Sequence, residues 1–159
     1  REEVMRVYSP EEPGYVLHAG TFNGNAAVMA AGMATLRELT PSVYERLNRL
    51  GEGLQRGLLE AFDEMGVLGS VSRMGSSLNL HFSPHPPHDF RAAMKCEKRL
   101  LPHIHLGMIN RGIFTARRGF FNIMTPMGEE EVGKALEAFR AALWEVRPAI
   151  EKLRPDLIS

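Results

Sequence analysis

The stretch that decides the fold reads HAGTFNGN at residues 18–25 and continues as AAVMAAGMATL at residues 26–36. The first part is made of small and polar residues, which is typical of a loop. The second part is rich in alanine and methionine, so its intrinsic helix propensity is high. Asn25 stands at the junction, where an asparagine side chain can cap the first turn of a helix. The sequence therefore predicts a loop that runs directly into a helix.

The loop places hydrogen-bond donors next to the start of that helix. Gly20 lets another group approach the backbone closely, and Thr21 adds a hydroxyl to the main-chain amides. The N-terminus of a helix favours an anion nearby. The same residues also suit a plain capping turn in which Thr21 binds no ligand. The pattern alone leaves both interpretations open.

A long amphipathic helix is predicted after this segment, from Pro41 to about Met65. Proline is favoured in the first turn of a helix, and Gly66 is a plausible stop at the other end. Apolar residues recur at steps of three and four, which predicts one continuous buried stripe. The stripe consists of Val43, Leu47, Leu50, Leu54, Leu58, Phe62 and Met65.

The remainder of the chain predicts a small module of strands and helices. Apolar and polar residues alternate at 78–82, which indicates a strand with His81 on its solvent-facing side. Helices are expected after the cap Asp89 and from Pro102 to about Asn110. Further short strands are expected at three places: Tyr15–Leu17, Ile113–Phe114 and Phe120–Met124.

The last helix is predicted to begin at the acidic run Glu129–Glu131, because negative charge is favourable at a helix N-terminus. Pro148 and Pro155 are expected to interrupt or end it. The turn Arg117–Gly119 is expected to join the strands at Ile113–Phe114 and Phe120–Met124.

Taken together, residues 18–36, the later stretch INRGIF at 109–114, and Pro126-Met127 before a Glu-rich helix resemble the class III pyridoxal-phosphate (PLP) aminotransferases of the glutamate-1-semialdehyde aminotransferase-like group. Ala26 departs from the pattern, because the family usually has proline there. The resemblance implies an α/β fold, the C-terminal part of a fold-type I PLP-dependent transferase. Residues 1–68 would end the large PLP-binding domain and supply the connecting helix, and residues 69–159 would form the small C-terminal domain.

The resemblance also implies the cofactor contacts. In this family a Gly-Thr pair reaches the PLP phosphate bound in the other subunit, so Gly20, Thr21 and Phe22 are the expected cofactor-binding residues and a homodimer is the expected assembly. PLP acts as an electron sink after forming a Schiff base with a lysine. That lysine is expected upstream of Arg1, so no catalytic residue is assigned within this chain, and the chain by itself is expected not to transaminate.

The resemblance further implies a substrate-binding residue: several class III enzymes bind the substrate carboxylate through an arginine from this region, and Arg117 is the candidate, since a guanidinium donates two parallel hydrogen bonds to a carboxylate. The expected partner is a small amino acid or amine substrate. Solvated turn charges are the alternative. The expected reaction is amino-group transfer to a carbonyl acceptor. The glutamate-1-semialdehyde 2,1-aminomutase reaction is one alternative, and a non-catalytic α/β interaction module is another, should the natural chain consist of these residues only.

Composition gives no support for several other classes of function. Lys+Arg and Asp+Glu each number 19, so the zero formal net charge gives no reason to expect nucleic acid or an anionic membrane as partner. The chain has no apolar run of about 20 residues, as a membrane span requires. The single cysteine, Cys96, fits a reducing, cytoplasmic setting. The pairs His85/His88 and His103/His105 have only a loose ligand-like spacing, so no metal site is expected.

Overall fold

The computed structural model describes residues 1–158. These residues form two compact units, one comprising residues 1–40 and the other beginning at Pro41. The predicted division between residues 68 and 69 concerns the domains of a whole transferase, and it stays a prediction.

The first unit is built from short elements and has no interior. It contains α1 (Glu2–Met5), a 3-10 turn (Arg6–Tyr8) and α2 (Ala26–Glu38). None of residues 1–40 is buried. The strand predicted at 15–17 is wrong, because this segment is irregular. It forms a single hydrogen bond with the segment around Val7, from Val16 N to Val7 O at 2.8 Å. One such bond cannot form a strand ladder.

The second unit carries the core and most of the regular structure. A small three-stranded sheet lies between the long helices of this unit in chain order. The elements are α3 (Pro41–Glu64), β1 (Ser70–Met74), β2 (Ser77–His81), α4 (Phe90–Lys95), α5 (Leu101–Ile109), β3 (Phe120–Asn122), α6 (Glu129–Leu153) and a 3-10 turn (Pro155–Leu157).

The sheet is antiparallel throughout, in the order β1-β2-β3. Leu80 is paired with Val71, and Leu78 is paired with both Arg73 and Phe121. Leu78 and Leu80 are almost fully buried, which confirms the apolar face predicted for β2. Strand β1 was not predicted from the sequence, because SVSRM carries little apolar character of its own.

The strand predicted at Ile113–Phe114 is wrong. This segment is irregular, and the side chain of Phe114 is 86 % exposed. The turn predicted at 117–119 is confirmed, and it closes a tight hairpin in which Ala116 N donates to Phe120 O at 3.1 Å. Gly119 permits that turn because its φ is +81°, in the left-handed region that favours glycine.

The core consists of apolar side chains from the helices and the inward face of the sheet. The stripe predicted on α3 is confirmed at the five positions that are buried: Leu47, Leu50, Leu54, Leu58 and Phe62. Phe62 packs edge-to-face against Phe139 of α6, with ring centroids 5.3 Å apart. Helices α5 and α6 approach closely at Gly107, where an added Cβ would lie 2.7 Å from the Cβ of Ala142.

Helix α6 begins where the acidic run predicted it. The carboxylate of Glu131 accepts a hydrogen bond from Gly128 N at 2.8 Å, and this bond lowers the pKa of Glu131. The expectation that Pro148 interrupts or ends the helix is wrong, since α6 continues to Leu153. Pro148 removes the hydrogen bond to the carbonyl four residues earlier, at Trp144, and both residues are exposed, so water can solvate that carbonyl.

Glu97 ties the end of the chain to the body of the second unit. Its side chain is 6 % exposed, and its carboxylate bonds Arg99 at 2.7 Å and Arg154 at 2.8 Å. The hydrogen bonds from Arg99 are the main cause that lowers the pKa of Glu97 to about 2. Just beyond Arg154, the carbonyl of the buried Leu157 accepts a bond from Leu68 N at 2.7 Å. No helix in the described part of the chain combines the length and apolar character of a membrane span.

Candidate functional site

The predicted cofactor loop lies in the first unit, directly before α2. Asn25 caps α2 as expected, because its side-chain oxygen accepts a hydrogen bond from Val28 N at 3.1 Å. Two tight turns precede the cap, closed by bonds from Asn23 N to Gly20 O and from Asn25 N to Phe22 O, each at 3.1 Å. The loop is therefore a defined local structure that ends at the positive end of a 13-residue helix.

The donors of this loop are free. Within the described residues, the hydroxyl and backbone N–H of Thr21 and the backbone N–H of Phe22 make no hydrogen bond. The side chain of Phe22 is 68 % exposed. A Cβ at Gly20 would lie 2.9 Å from Oδ1 of Asn23, so a larger residue would displace Asn23. Unpaired donors beside a helix N-terminus are the arrangement that a phosphate requires, and the residues therefore fit the phosphate of PLP.

The second candidate, Arg117, lies in the second unit on the hairpin between Ala116 and Phe120. Neither Arg117 nor Arg118 forms an ion pair or a hydrogen bond with the described residues. The guanidinium carbon of Arg118 lies 5.4 Å from the centroid of the Phe120 ring, which is within cation–π range. Two adjacent guanidinium groups are thus available for an anionic ligand.

Both arginines line one cavity of about 590 Å³, a size common among small-molecule sites. An apolar wall is formed by residues of α4 and the start of α5, and polar residues come from the outward face of β2. The principal lining residues are Asn79, His81, Phe90, Met94, Leu101 and Arg117. Phe90 and Met94 are 77 % and 56 % exposed, so the apolar wall is open to a ligand.

His81 was expected to face solvent, and that expectation is wrong, because only 8 % of the residue is exposed. Its Nε2 lies 3.0 Å from Oγ of Ser72 and 3.5 Å from Nδ2 of Asn79. No described residue forms a hydrogen bond with Nδ1. Burial lowers the pKa of His81, so the ring is neutral at pH 7.

Sequence reasoning assigned the face of β2 that carries His81 to solvent and so missed the cavity wall. The available signal was the run from Asp89 to Met94, which places Phe90 and Met94 on one side of a short helix. Apolar side chains that follow a strand so closely in the chain could have been expected to line a cavity beside that strand's second face. The strand pattern by itself shows only that one face is apolar.

The lysines of this chain show none of the features of a residue that binds a cofactor aldehyde. Lys95, Lys98, Lys134 and Lys152 are all exposed. Lys134 bonds Glu130 at 2.6 Å, and that bond raises its pKa, whereas an amine nucleophile requires a lowered one. The expectation of an upstream lysine stays a prediction. Within residues 1–158, no group of three His, Cys, Asp or Glu side chains is placed to hold a metal ion.

Curated relatives align with nearly the whole of this chain. It is 39 % identical over 150 residues to a glutamate-1-semialdehyde 2,1-aminomutase of Thermomicrobium roseum, covering 92 % of this chain and 34 % of the relative. It is 36 % identical over 145 residues to the protein of that name from Sorangium cellulosum, covering 90 % and 33 %. No family model matches the chain.

Solved structures agree with the sequence comparison. An omega-transaminase from Sphaerobacter thermophilus matches with a TM-score of 0.76 and 37 % identity, over 92 % of this chain and 34 % of that protein. A transaminase with PLP bound matches with a TM-score of 0.72 and 29 % identity, over 94 % and 34 %. The chain corresponds to the C-terminal part of a class III aminotransferase.

The resemblance to the class III PLP aminotransferases is thereby confirmed, together with the predicted fold: mixed helix and sheet with a small antiparallel sheet. PLP is the cofactor of the family. The chain spans about one third of the length of the relatives that it matches. The residues proposed to bind cofactor and substrate lie in different units, 1–40 and 41 onward.

Proposed function

We propose that this chain serves a PLP-dependent aminotransferase by binding the cofactor's phosphate through Gly20, Thr21 and Phe22. The observation that carries the proposal is the set of unpaired donors at residues 21 and 22, next to the N-terminus of α2. The identity of 36–39 % to named aminomutases over 90 % of the chain supports the same assignment.

In the proposed site the Thr21 hydroxyl and the amides of residues 21 and 22 donate to phosphate oxygens. Gly20 keeps the backbone accessible. PLP, when bound, supplies the electron sink for removing and returning an amino group. We propose that the phosphate belongs to a cofactor in a second subunit, so the working assembly is a homodimer. Residues 1–40 have no buried side chain, which suits a segment that binds a partner.

Arg117 is proposed to orient the substrate through its carboxylate. Its guanidinium has no partner among the described residues, and it lines a cavity of suitable size. A guanidinium–carboxylate pair fixes both position and orientation, which lowers the entropic part of the barrier. The substrate is therefore proposed to be a small amino acid.

The cofactor contact is tested by Thr21→Ala in the polypeptide encoded by the intact gene. Loss of one charge-assisted hydrogen bond is expected to weaken PLP binding by about 10-fold or more, measured as an apparent Kd by absorbance titration. Thr21→Ser restores the hydroxyl and is expected to restore affinity. Thr35→Ala is the matched control, because the Thr35 hydroxyl bonds only the Ala31 carbonyl within α2, at 2.9 Å.

Unchanged PLP affinity in Thr21→Ala would contradict the phosphate contact, and so would an equal loss in Thr35→Ala. A monomer that keeps full PLP affinity would contradict the shared site. Analytical ultracentrifugation of the same samples measures the assembly.

The aminomutase reaction is the second candidate, and the names of the curated relatives favour it. The two reactions are separated by assaying the intact gene product with glutamate-1-semialdehyde alone and with an amino acid plus a carbonyl acceptor. An aminomutase converts the semialdehyde without a second substrate, whereas a transaminase requires one.

A further inference from the structure

The cavity beside β2 is lined by three cations that have no carboxylate partner among the described residues. They are Lys98, Arg117 and Arg118. The ammonium of Lys98 makes one hydrogen bond within the described chain, to Sδ of Met94 at 3.0 Å. The acidic residue of the lining, Glu97, is already held by two arginines from outside the cavity. The lining therefore carries an excess of positive charge, which a ligand with a single carboxylate would neutralise only in part.

Arg118 lies on the face of the sheet that carries His81. Asn79 of β2 is paired with Phe120 of β3, and the next residue of β2 donates a backbone hydrogen bond to the hairpin at 2.9 Å. Continued by one residue, this register places Arg118 opposite His81. Paired residues point to the same face of a sheet, so the Phe120 ring lies on the side of Asn79 and His81. The guanidinium carbon of Arg118 is 5.4 Å from the centroid of that ring. Both Arg118 and His81 line the cavity, so one ligand group can contact both.

The hydrogen bonds around His81 assign the proton of its ring to Nδ1. The side-chain nitrogen of Asn79 is fixed as a donor because it bonds the carbonyl of Leu80 at 3.2 Å. The same nitrogen lies 3.5 Å from Nε2 of His81, so Nε2 is an acceptor, and the Ser72 hydroxyl donates to it at 3.0 Å. Burial lowers the pKa of His81, so the ring is neutral at pH 7. A neutral imidazole has a single N–H, and here that N–H is on Nδ1.

This N–H is reachable from the cavity. Nδ1 has no hydrogen-bond partner among the described residues, although His81 is only 8 % exposed. No fully buried side-chain nitrogen or oxygen in the described chain lacks a partner, so Nδ1 is not fully buried. Because His81 lines the cavity, the missing acceptor can be supplied there by a ligand.

We infer that Arg118 and the Nδ1–H of His81 form a second anion subsite beside Arg117, and that the cavity takes a dicarboxylate. One carboxylate binds Arg117, and the other accepts hydrogen bonds from Arg118 and His81. Lys98 adds a third positive charge that attracts the ligand. The carbon chain between the two carboxylates lies against the apolar wall of the cavity. The inference rests on the proposed function for the role of Arg117, and it deepens that function by naming dicarboxylic amino acids as the substrate class.

The test measures ligand binding to the full 159-residue chain without cofactor, so it is independent of the Thr21 contact. Glutarate has two carboxylates, and glutaramate has the same shape with one carboxylate replaced by a neutral amide. By isothermal titration calorimetry, glutarate is expected to bind at least about 10-fold more tightly than glutaramate. Equal affinities, or no binding of glutarate, would overturn the inference. Inorganic phosphate is the third probe. If it binds as tightly as glutarate, the cavity has one site for a compact dianion, and the assignment of two subsites is wrong.

Variants locate the second subsite. Arg118→Gln removes its charge and His81→Phe removes its N–H, so each is expected to lower the affinity for glutarate by about 10-fold. The affinity for glutaramate should stay nearly unchanged, because its single carboxylate can bind Arg117. His81→Gln keeps an N–H donor and is expected to keep the preference for glutarate. Arg91→Gln is the control, because Arg91 is an exposed arginine of α4 that does not line the cavity. An equal loss in Arg91→Gln would show general charge attraction and would contradict the subsite.

The wild type provides a measurement that does not depend on the folding of a variant. A long-range proton–nitrogen NMR spectrum of the His81 ring is expected to show the Nδ1–H tautomer and a shift of the Nδ1 signal on addition of glutarate. Circular dichroism verifies folding of the variants, and should His81→Phe not fold, this spectrum decides. An Nε2–H tautomer, or an Nδ1 signal that glutarate leaves unmoved, would disprove the subsite. Should Thr21→Ala leave PLP affinity unchanged while these results hold, the cofactor proposal fails and the dicarboxylate site stands.

Discussion

The two units of this chain differ in what holds them together. Residues 1–40 contain no buried side chain, and their order rests on local hydrogen bonds such as the Asn25 cap. The unit that starts at Pro41 has a continuous core in which side chains such as Leu58 and Phe139 are fully buried. The comparison teaches that different interactions stabilise the two regions. The proposed cofactor loop depends on local hydrogen bonds and a helix cap, whereas the unit that carries the proposed substrate cavity depends on burial of apolar side chains.

The largest contrast is expected for loss of apolar bulk. Phe139→Ala removes a fully buried ring from the second unit, and its cost is expected to be about 4 kcal/mol of unfolding free energy. Leu36→Ala removes bulk from a side chain in the first unit that is 69 % exposed, and its cost is expected to be below about 0.5 kcal/mol. Urea unfolding followed by far-UV circular dichroism measures both. Similar losses of unfolding free energy in the two variants would contradict the difference proposed between the two units.

The next contrast concerns ion pairs. Glu97→Gln leaves Arg99 and Arg154 without their buried partner, and the expected cost is about 3 kcal/mol at pH 7. Glu12→Gln removes the pair with Arg6 in the first unit, which is far more exposed, and is expected to cost less than about 1 kcal/mol. Urea unfolding of the two variants measures the difference, and equal costs would contradict the buried role of Glu97.

The pH dependence of that contrast follows from the pKa of Glu97. Its folded-state value of about 2 lies below the ordinary 4.5, so the unfolded state takes up the proton first as pH falls. The stabilisation by the ionised carboxylate is complete above pH 4.5 and is lost as the pH falls from there to about 2. The stability gap between wild type and Glu97→Gln should therefore narrow over this range. A constant difference in unfolding free energy between the two proteins over that range would show that ionisation of Glu97 does not stabilise the fold.

The smallest effect is expected for the helix caps. Asn25→Ala removes the hydrogen bond to Val28 N, which should cost about 1 kcal/mol and raise the exchange rate of that amide hydrogen about 5-fold. Asp89→Ala is the matched change in the second unit, because Asp89 accepts from Ala92 N at 2.6 Å. Both effects should stay local. A fall in global stability with Asn25→Ala would show that the first unit contributes to the core after all.

Much of this architecture could be predicted from the sequence, because periodicity and capping are local signals. The stripe on α3, the caps at Asn25 and Asp89 and the acidic start of α6 all lie where the pattern places them. Strand β1 was missed because SVSRM is held in the sheet by its pairing with β2 and has no strong alternation of its own. Pairing between segments is not encoded in either segment alone.

The site was harder to predict than the fold. The loop residues 20–22 could be selected from the resemblance, and the structure adds that their donors are unpaired. The burial of His81 depends on the tertiary surroundings of β2, among them Ser72 of the neighbouring strand β1, whose Oγ lies 3.0 Å from Nε2. The same kind of information decides that Phe114 is exposed and outside the sheet. Tertiary contacts of this kind override the strand pattern.

The exposed Trp144 on α6 has a practical consequence, since it is the only indole in the chain. Trp144 is 67 % exposed in the folded state, so its fluorescence is expected to have the red-shifted emission of a solvent-exposed indole before any denaturant is added. A shift of that emission to shorter wavelength would therefore report a second surface closing over α6, and the chain carries its own optical sensor for assembly.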